Sequence, residues 1–251
     1  MRFPTSLLAL AFLFPACRTL APESGGAGRF AIVDPDDLLD DEAEAALRAE
    51  GESTLSRVAA EWGLDPPAKP VRVRIAAGLG RCFADESGIT LDRGHIPLKD
   101  LSHELVHYLC GDSWRVASEG LATWFTEAFA EDRARPGYVT LDEKSLAYIE
   151  CGLEADLSAA ATRERLDPRG YVQAASFTGF LLRRYGTERV RALYEGPPDG
   201  YLAAFGRDRD ALLDDWQEDL AARVAISSPR YAEFVRSVRL FLAGAGPDPE
   251  G

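Results

Sequence analysis

The sequence predicts an α+β fold of two lobes, in which strands and helices alternate first and helices alone follow. Two patterns lead to this prediction. Val71, Val73 and Ile75 alternate with arginines, which is typical of a half-buried strand. From Pro97 to about residue 243 the chain has the character of helices. A length of 251 residues, with 46% hydrophobic and 27% charged residues, indicates a folded protein with a sizeable core.

The N-terminus has the pattern of an export signal. Residues 1–16 contain one arginine and then an apolar run that is too short to span a bilayer. Cys17 follows a small residue directly, which resembles the lipidation site of a bacterial lipoprotein; a plain secretory signal with an incidental cysteine is the alternative. Residues 17–28 are rich in proline, glycine and serine and predict a tether. We therefore expect an exported protein of the bacterial cell envelope, periplasm-facing or at the cell surface, that is held at the membrane by lipid on Cys17.

The elements of the first half follow in order after this tether. Residues 29–33 form a short apolar run that ends at an Asp-Pro pair and predicts a strand. Apolar residues recur at helical spacing over residues 40–62. A proline-rich break then precedes the alternating strand at 71–75, and residues 88–92 predict a second short strand there.

Charge and cysteine content limit the class of protein. Lys and Arg total 28 against 41 Asp and Glu, which gives a formal net charge of −13. Such a chain repels phosphate backbones, so nucleic acid is excluded as a partner. Besides Cys17 the chain has Cys82, Cys110 and Cys151. In an oxidising compartment we expect two of these three to form a disulfide, and their pairing stays open.

The most informative segment is residues 103–107, which read H-E-x-x-H. Side chains four residues apart project from one side of a helix, so His103 and His107 can reach a single metal ion. Zinc lowers the pKa of a bound water, and the adjacent Glu104 can then accept the proton of that water. The motif therefore predicts a catalytic metal helix with Glu104 as general base.

A third metal ligand is predicted at Glu119, within S-E-G-L-A. Glu119 begins a second helix with an apolar face, and the short connection 111–117 makes the two helices neighbours. Two histidines and one glutamate leave a zinc position open, which is typical of a catalytic site and not of a structural one. Glu127, two helical turns further on, is the alternative ligand. Glu119 is also explained without a metal, because the helix dipole favours a glutamate in the first helical turn. We expect one Zn²⁺, held by His103, His107 and Glu119.

The sequence H-E-L-V-H-Y-L, then a Trp-containing link and S-E-G-L-A, resembles the gluzincins of the peptidase MA-like group, zinc metallopeptidases with a glutamate as third ligand. Thermolysin and the zinc aminopeptidases are distant members of that group. The resemblance is strong over about residues 98–130 and looser over 29–77 and 171–186. The resemblance is looser still at its C-terminal end, around Phe205, Leu212 and Trp216.

This resemblance implies a zincin-like fold over residues 29–243. A small mixed sheet lobe with the active-site helix would cover about 29–110, and a helical C-terminal lobe about 111–243. The substrate cleft would run between the two lobes. Residues 244–251 predict a disordered tail.

The function expected from these features is that of an exported, lipid-anchored zinc metallopeptidase acting on a peptide or protein substrate. A hydrogen-bond donor must stabilise the carbonyl oxygen during hydrolysis. Tyr171 stands where related gluzincins carry a tyrosine, and His95 and Tyr138 are the alternatives. A different class of function also stays open, that of a non-proteolytic, peptidase-like binding or assembly factor of the bacterial cell envelope. Glu104 argues against it, because a binding module has no need of a base.

Overall fold

The computed structural model describes residues 29–95, 98–111, 113–128, 130, 133, 135, 137–157, 166–197, 200–226 and 228–249. The predicted signal (1–16), the lipidation site Cys17 and the tether (17–28) lie outside these residues. Within the described ranges, no helix combines the length and the apolar character that crossing a bilayer requires.

The predicted α+β class is confirmed: a small mixed sheet lies in the first half of a mainly helical chain. The strands β1 (Phe30–Val33), β2 (Val71–Ala76), β3 (Phe83–Asp85) and β4 (Gly88–Asp92) form a sheet in the order β1-β2-β4-β3. β1 and β2 are parallel, as are β2 and β4, whereas β3 and β4 are antiparallel. Helix α1 (Asp41–Trp62) is the crossover that the parallel pair β1–β2 requires.

Helices make up the rest of the described chain. They are α2 (Leu98–Cys110), α3 (Arg115–Ala128), α4 (Leu141–Glu150), α5 (Pro168–Tyr185), α6 (Thr187–Glu195), α7 (Tyr201–Phe205), α8 (Arg209–Arg223) and α9 (Pro229–Leu242). Several helices, α1 included, begin after a residue whose side chain accepts a hydrogen bond from a backbone N–H of the first turn. These residues are Asp40, Thr140, Asp167, Asp208 and Ser228. Every element predicted in the first half is present; β3 and a short 3₁₀ helix at Arg93–His95 have no counterpart among the predictions.

Helix α2 lies between two hydrophobic cores. Leu101 and Leu105 of α2 pack with the inward face of β2 in a core under the sheet. Val106 of α2 belongs to a second core among the helices, which is rich in aromatic residues such as Phe177 and Trp216. Because both cores hold it, the position of α2 is constrained from two sides.

Helices α3 and α5 pack at very short distance. A Cβ atom on Gly120 would lie 2.6 Å from Thr178 Oγ1 and 2.8 Å from the carbonyl oxygen of Ala174. On the other helix, a Cβ atom on Gly179 would lie 2.7 Å from Trp124 Nε1. Only glycine leaves room for this approach, which brings the start of α5 close to the start of α3.

The expected disulfide is wrong: Cys82, Cys110 and Cys151 are all free thiols. Cys82 packs against the core under the sheet, whereas Cys110 and Cys151 pack against the helical core. Burial raises the pKa of Cys82 to about 11 and that of Cys110 to about 12. These two thiols are therefore protonated at neutral pH and are weak nucleophiles.

The segment after α9 is described as far as residue 249, where the sequence predicts a disordered tail over 244–251. Residues 244–249 follow the helix in turns and bends. Arg169 of α5 donates to Asp248 at 3.2 Å, and its guanidinium lies over the ring of Phe241 at 5.1 Å. This arginine connects the end of the chain to α5.

The variant Gly120→Ala should destabilise the protein by about 1–3 kcal/mol, because the new methyl group would overlap the backbone of α5. Urea denaturation measures this free energy of unfolding. Gly94→Ala is the matched control, since its Cβ atom would meet nothing closer than 3.9 Å, and it should change stability by less than about 0.5 kcal/mol. Equal stability of the two variants would contradict the close contact between α3 and α5.

Candidate metal centre

The H-E-x-x-H motif lies on a helix, as predicted, around the middle of α2. The helix ends at Gly111, whose positive φ of 76° terminates it and whose N–H donates to the carbonyl oxygen of His107. Leu105 is fully buried under the sheet, whereas His103, Glu104 and His107 line an open cleft. The burial of one face of α2 thus directs the motif toward solvent.

Helix α3 brings Glu119 to the same cleft. The turn between α2 and α3 is held by Tyr194 of α6, whose hydroxyl donates to the carbonyl oxygen of Gly111. In return the carbonyl oxygen of Tyr194 accepts a hydrogen bond from Ser113 Oγ at 2.6 Å. The connection is short and held at both ends, so α3 packs beside α2 as the sequence predicts.

Three potential ligand atoms converge between the two helices. Glu119 Oε2 lies 3.0 Å from His103 Nε2 and 3.3 Å from His107 Nε2, and the two nitrogens are 3.1 Å apart. Tetrahedral zinc with bonds of about 2.0–2.1 Å separates its ligands by roughly 3.3 Å, so these donors have the chemistry and spacing of a zinc site. Among the described side chains, no other group of three His, Cys, Asp or Glu residues converges in this way.

Glu119 is buried and held by charged or polar partners on both oxygens. Its second oxygen, Oε1, accepts a hydrogen bond from Arg115 at 2.7 Å. Burial alone would raise the pKa of Glu119, but hydrogen bonds with His103 and His107 outweigh it and hold the pKa well below its ordinary value. Glu119 is therefore a carboxylate at neutral pH, the form that ligates metals.

Ser118, next to Glu119 in the chain, contacts the far side of His107. Its Oγ atom lies 3.0 Å from His107 Nδ1. When the Nδ1 hydrogen is donated to this hydroxyl, the lone pair of Nε2 faces the converging ligand atoms. A partner of this kind fixes the orientation of a metal-binding imidazole.

Glu104 lines the cleft beside the three potential ligands. Burial raises the pKa of its carboxyl above the ordinary value, and the charges of His103 and His107 oppose this effect. A partly buried carboxyl group in a cleft, next to a candidate metal site, is suited to proton transfer.

The predicted donor Tyr171 and the alternative residues differ in whether they line the cleft. Tyr171, at the start of α5, lines the same cleft, with its ring centroid 6.4 Å from that of His103. Tyr138 instead donates a hydrogen bond to Glu127, and neither residue is among the described residues that line this cleft. The side chain of His95 lies outside the described residues. The geometry therefore favours Glu119 over Glu127 as ligand, and Tyr171 over Tyr138 as donor.

A further part of the cleft wall consists of residues that the sequence patterns do not assign to the site. They come from β3 and the loop before it, namely Arg81, Cys82, Phe83 and Ala84. Arg115 is a further omission, although an arginine four residues before a glutamate on a helix is a recognisable pair. No local pattern identifies the β3 wall, because its position depends on pairing with β4.

Replacing Glu119 by glutamine should weaken zinc binding by more than about 100-fold, since a neutral amide is a poor ligand and even supporting residues change affinity by 10–100-fold. Titration of the purified protein with zinc against a chromophoric chelator measures this. Glu127→Gln removes the same charge from the same helix and should leave the affinity unchanged. Wild-type affinity in Glu119→Gln would exclude Glu119 as a ligand.

The chain matches no family model, no curated protein and no solved structure. Indications of its function therefore come from the residues of the candidate metal centre.

Proposed function

We propose that this chain is a zinc metallopeptidase of the gluzincin type, with a zincin-like fold. The observation that carries the proposal is the convergence of His103 Nε2, His107 Nε2 and Glu119 Oε2, with separations of 3.0, 3.1 and 3.3 Å. Three protein ligands leave a coordination position open, which distinguishes catalytic from structural zinc. The placement of Glu104 in the same cleft supplies a base for hydrolysis.

Export and anchoring belong to the same proposal. The apolar run in residues 1–16 and the cysteine at position 17 support a lipoprotein of the bacterial cell envelope. Lipid on Cys17 would hold the enzyme at the membrane, and the tether over 17–28 would separate the catalytic domain from the bilayer.

Different residues of the chain would carry out different parts of the hydrolysis. Bound zinc would supply Lewis-acid polarisation of a carbonyl group and a lowered pKa for water. One carboxylate oxygen of Glu104 accepts the proton of the attacking water and returns it to the leaving amine nitrogen. The hydroxyl of Tyr171 donates a hydrogen bond to the carbonyl oxygen as negative charge develops there. Arg115 keeps Glu119 in place throughout.

The edge strand of the sheet supports a peptide as substrate. β3 is the last strand in the sheet order and pairs with β4 on one side. Its residues Phe83 and Ala84 line the same cleft as His103 and Glu104. An extended peptide can add to such an edge through backbone hydrogen bonds. A peptide bound there would lie directly beside the three potential ligands.

The variant Glu104→Gln should lower kcat for hydrolysis of a fluorogenic peptide mixture by about 10²–10⁴-fold, because it removes the base. Zinc content, measured on the same samples by mass spectrometry, should stay at the wild-type level. A zinc-loaded wild-type protein that cleaves no peptide would contradict the proposal and favour the non-proteolytic binding or assembly factor.

The variant Tyr171→Phe should lower kcat by about 10²–10³-fold with zinc still bound, because one donor to the developing negative charge is lost. Tyr138→Phe is the matched control, since that hydroxyl binds Glu127 and should not affect turnover. Steady-state kinetics on a single cleaved peptide distinguishes the two. Unchanged turnover in Tyr171→Phe would exclude this residue as the donor.

A further inference from the structure

The cleft at the metal centre continues beyond it. The part lined by Tyr171 and Glu104 has a volume of about 470 Å³, and a neighbouring part has about 730 Å³. Both parts are lined by Ala84 of β3 and by His107 of α2. The two parts therefore adjoin at Ala84 and His107, beside the metal centre, and are together called the groove here.

The two parts of the groove differ in their charged residues. The first part, here called the arginine end, is lined by Arg81 and Arg115 together with Glu104 and Glu119 of the metal centre, and Arg115 is paired with Glu119. The second part, here called the acidic end, is lined by Asp65, Asp85 and Glu86. Within the β3 segment, Arg81 lies at the arginine end and Asp85 lies at the acidic end. Residues from separate segments of the chain are divided in the same way, with Arg115 of α3 at the arginine end and Asp65, after α1, at the acidic end.

Arg81 is exposed, and its position is restricted by one ring contact and by the loop that carries it. Its guanidinium lies over the ring of Phe83, 5.5 Å from the centroid. The loop that carries it is fixed by the buried Asp92, which accepts hydrogen bonds from the backbone N–H groups of Gly78 at 3.2 Å and Gly80 at 2.5 Å. A charge held in this way loses little conformational entropy when it binds a partner.

The two ends differ in charge at neutral pH. Hydrogen bonds from the Ser87 hydroxyl and backbone N–H lower the pKa of Asp85, which keeps this carboxyl ionised. At the other end Arg115 also binds Glu119, a proposed metal ligand. Arg81 is therefore the arginine that can be changed without disturbing the metal centre directly.

We propose that Arg81 determines specificity: the arginine end of the groove selects an acidic side chain of the substrate peptide, and the acidic end excludes one. This inference rests on the proposed peptidase function. A strand rises about 3.3 Å per residue, so an extended peptide of roughly four residues reaches from Arg81 to Asp85. The position of an acidic residue relative to the cleaved bond, and not the net charge of the peptide, then decides how well the peptide binds.

Two capped, fluorescent peptides of identical composition test this inference. Each has a neutral central segment, and a single glutamate stands two residues before the cleaved bond in one peptide and two residues after it in the other. Affinities are measured by fluorescence anisotropy for the zinc-loaded full chain carrying Glu104→Gln, purified in detergent, so that binding is read without turnover. Cleavage of both peptides and of an all-neutral peptide is measured in parallel with wild type.

One glutamate position should bind about tenfold more tightly than the other, since exposed charge pairs are individually weak but here attraction and repulsion act together. Adding Arg81→Glu to the binding variant should abolish or reverse this preference. Adding Arg236→Ala, which removes an exposed positive charge from α9, should leave the preference intact. The preference should also weaken as salt is raised, because exposed charges are screened.

Equal affinity for the two peptides, or a preference that Arg81→Glu leaves unchanged, would overturn the inference. Cleavage of the neutral peptide together with such a result would keep the peptidase proposal. Position-selective binding by the Glu104→Gln protein, together with no cleavage of any of the peptides by wild type, would overturn the peptidase proposal and keep the charge selectivity. Absence of both binding and cleavage would overturn both.

Discussion

The candidate site depends on the burial of one carboxylate, that of Glu119. An isolated buried charge is strongly unfavourable, so the surrounding groups must compensate it. His103 and His107 face one of its oxygens and Arg115 binds the other. These contacts require α2 and α3 to lie side by side in one particular register. The arrangement that makes the buried carboxylate tolerable is thus the same one that gathers three metal-ligating atoms.

The packing of the whole chain maintains this register. α2 is held between the core under the sheet and the core among the helices, through Leu105 on one side and Val106 on the other. The turn to α3 is bound to Tyr194, and α3 is held against α5 where Gly120 permits close contact. Because α5 begins with Tyr171 at the cleft, the same contact also places the proposed donor. Helix packing therefore sets the site geometry, and the contacts of Arg115 and Ser118 act within it.

What could be predicted from the sequence is what depends on neighbours in the chain. His103 and His107 are one helical turn apart, and Glu119 follows after a short connection, so spacing alone indicates that they meet. The wall formed by β3 depends on pairing with β4 and on the buried Asp92, and no short-range pattern contains that information. The expected disulfide was wrong. An oxidising compartment makes a disulfide possible, but Cys82 packs against a different core from the other two cysteines, and Cys110 and Cys151 are free thiols although both border the helical core.

The proposed chemistry and the proposed specificity therefore have different structural origins. The chemistry comes from side chains on the helices α2, α3 and α5, whereas the placement of Arg81 and Asp85 depends on the register of β3 against β4. Gly88 fixes where β4 begins: its φ of 135° favours glycine, and a Cβ atom there would lie 2.2 Å from the carbonyl oxygen of Arg72 on the neighbouring strand β2. With the β3–β4 turn fixed at this point, Asp85 pairs with Gly88 and Arg81 is kept four residues away, at the other end of the groove.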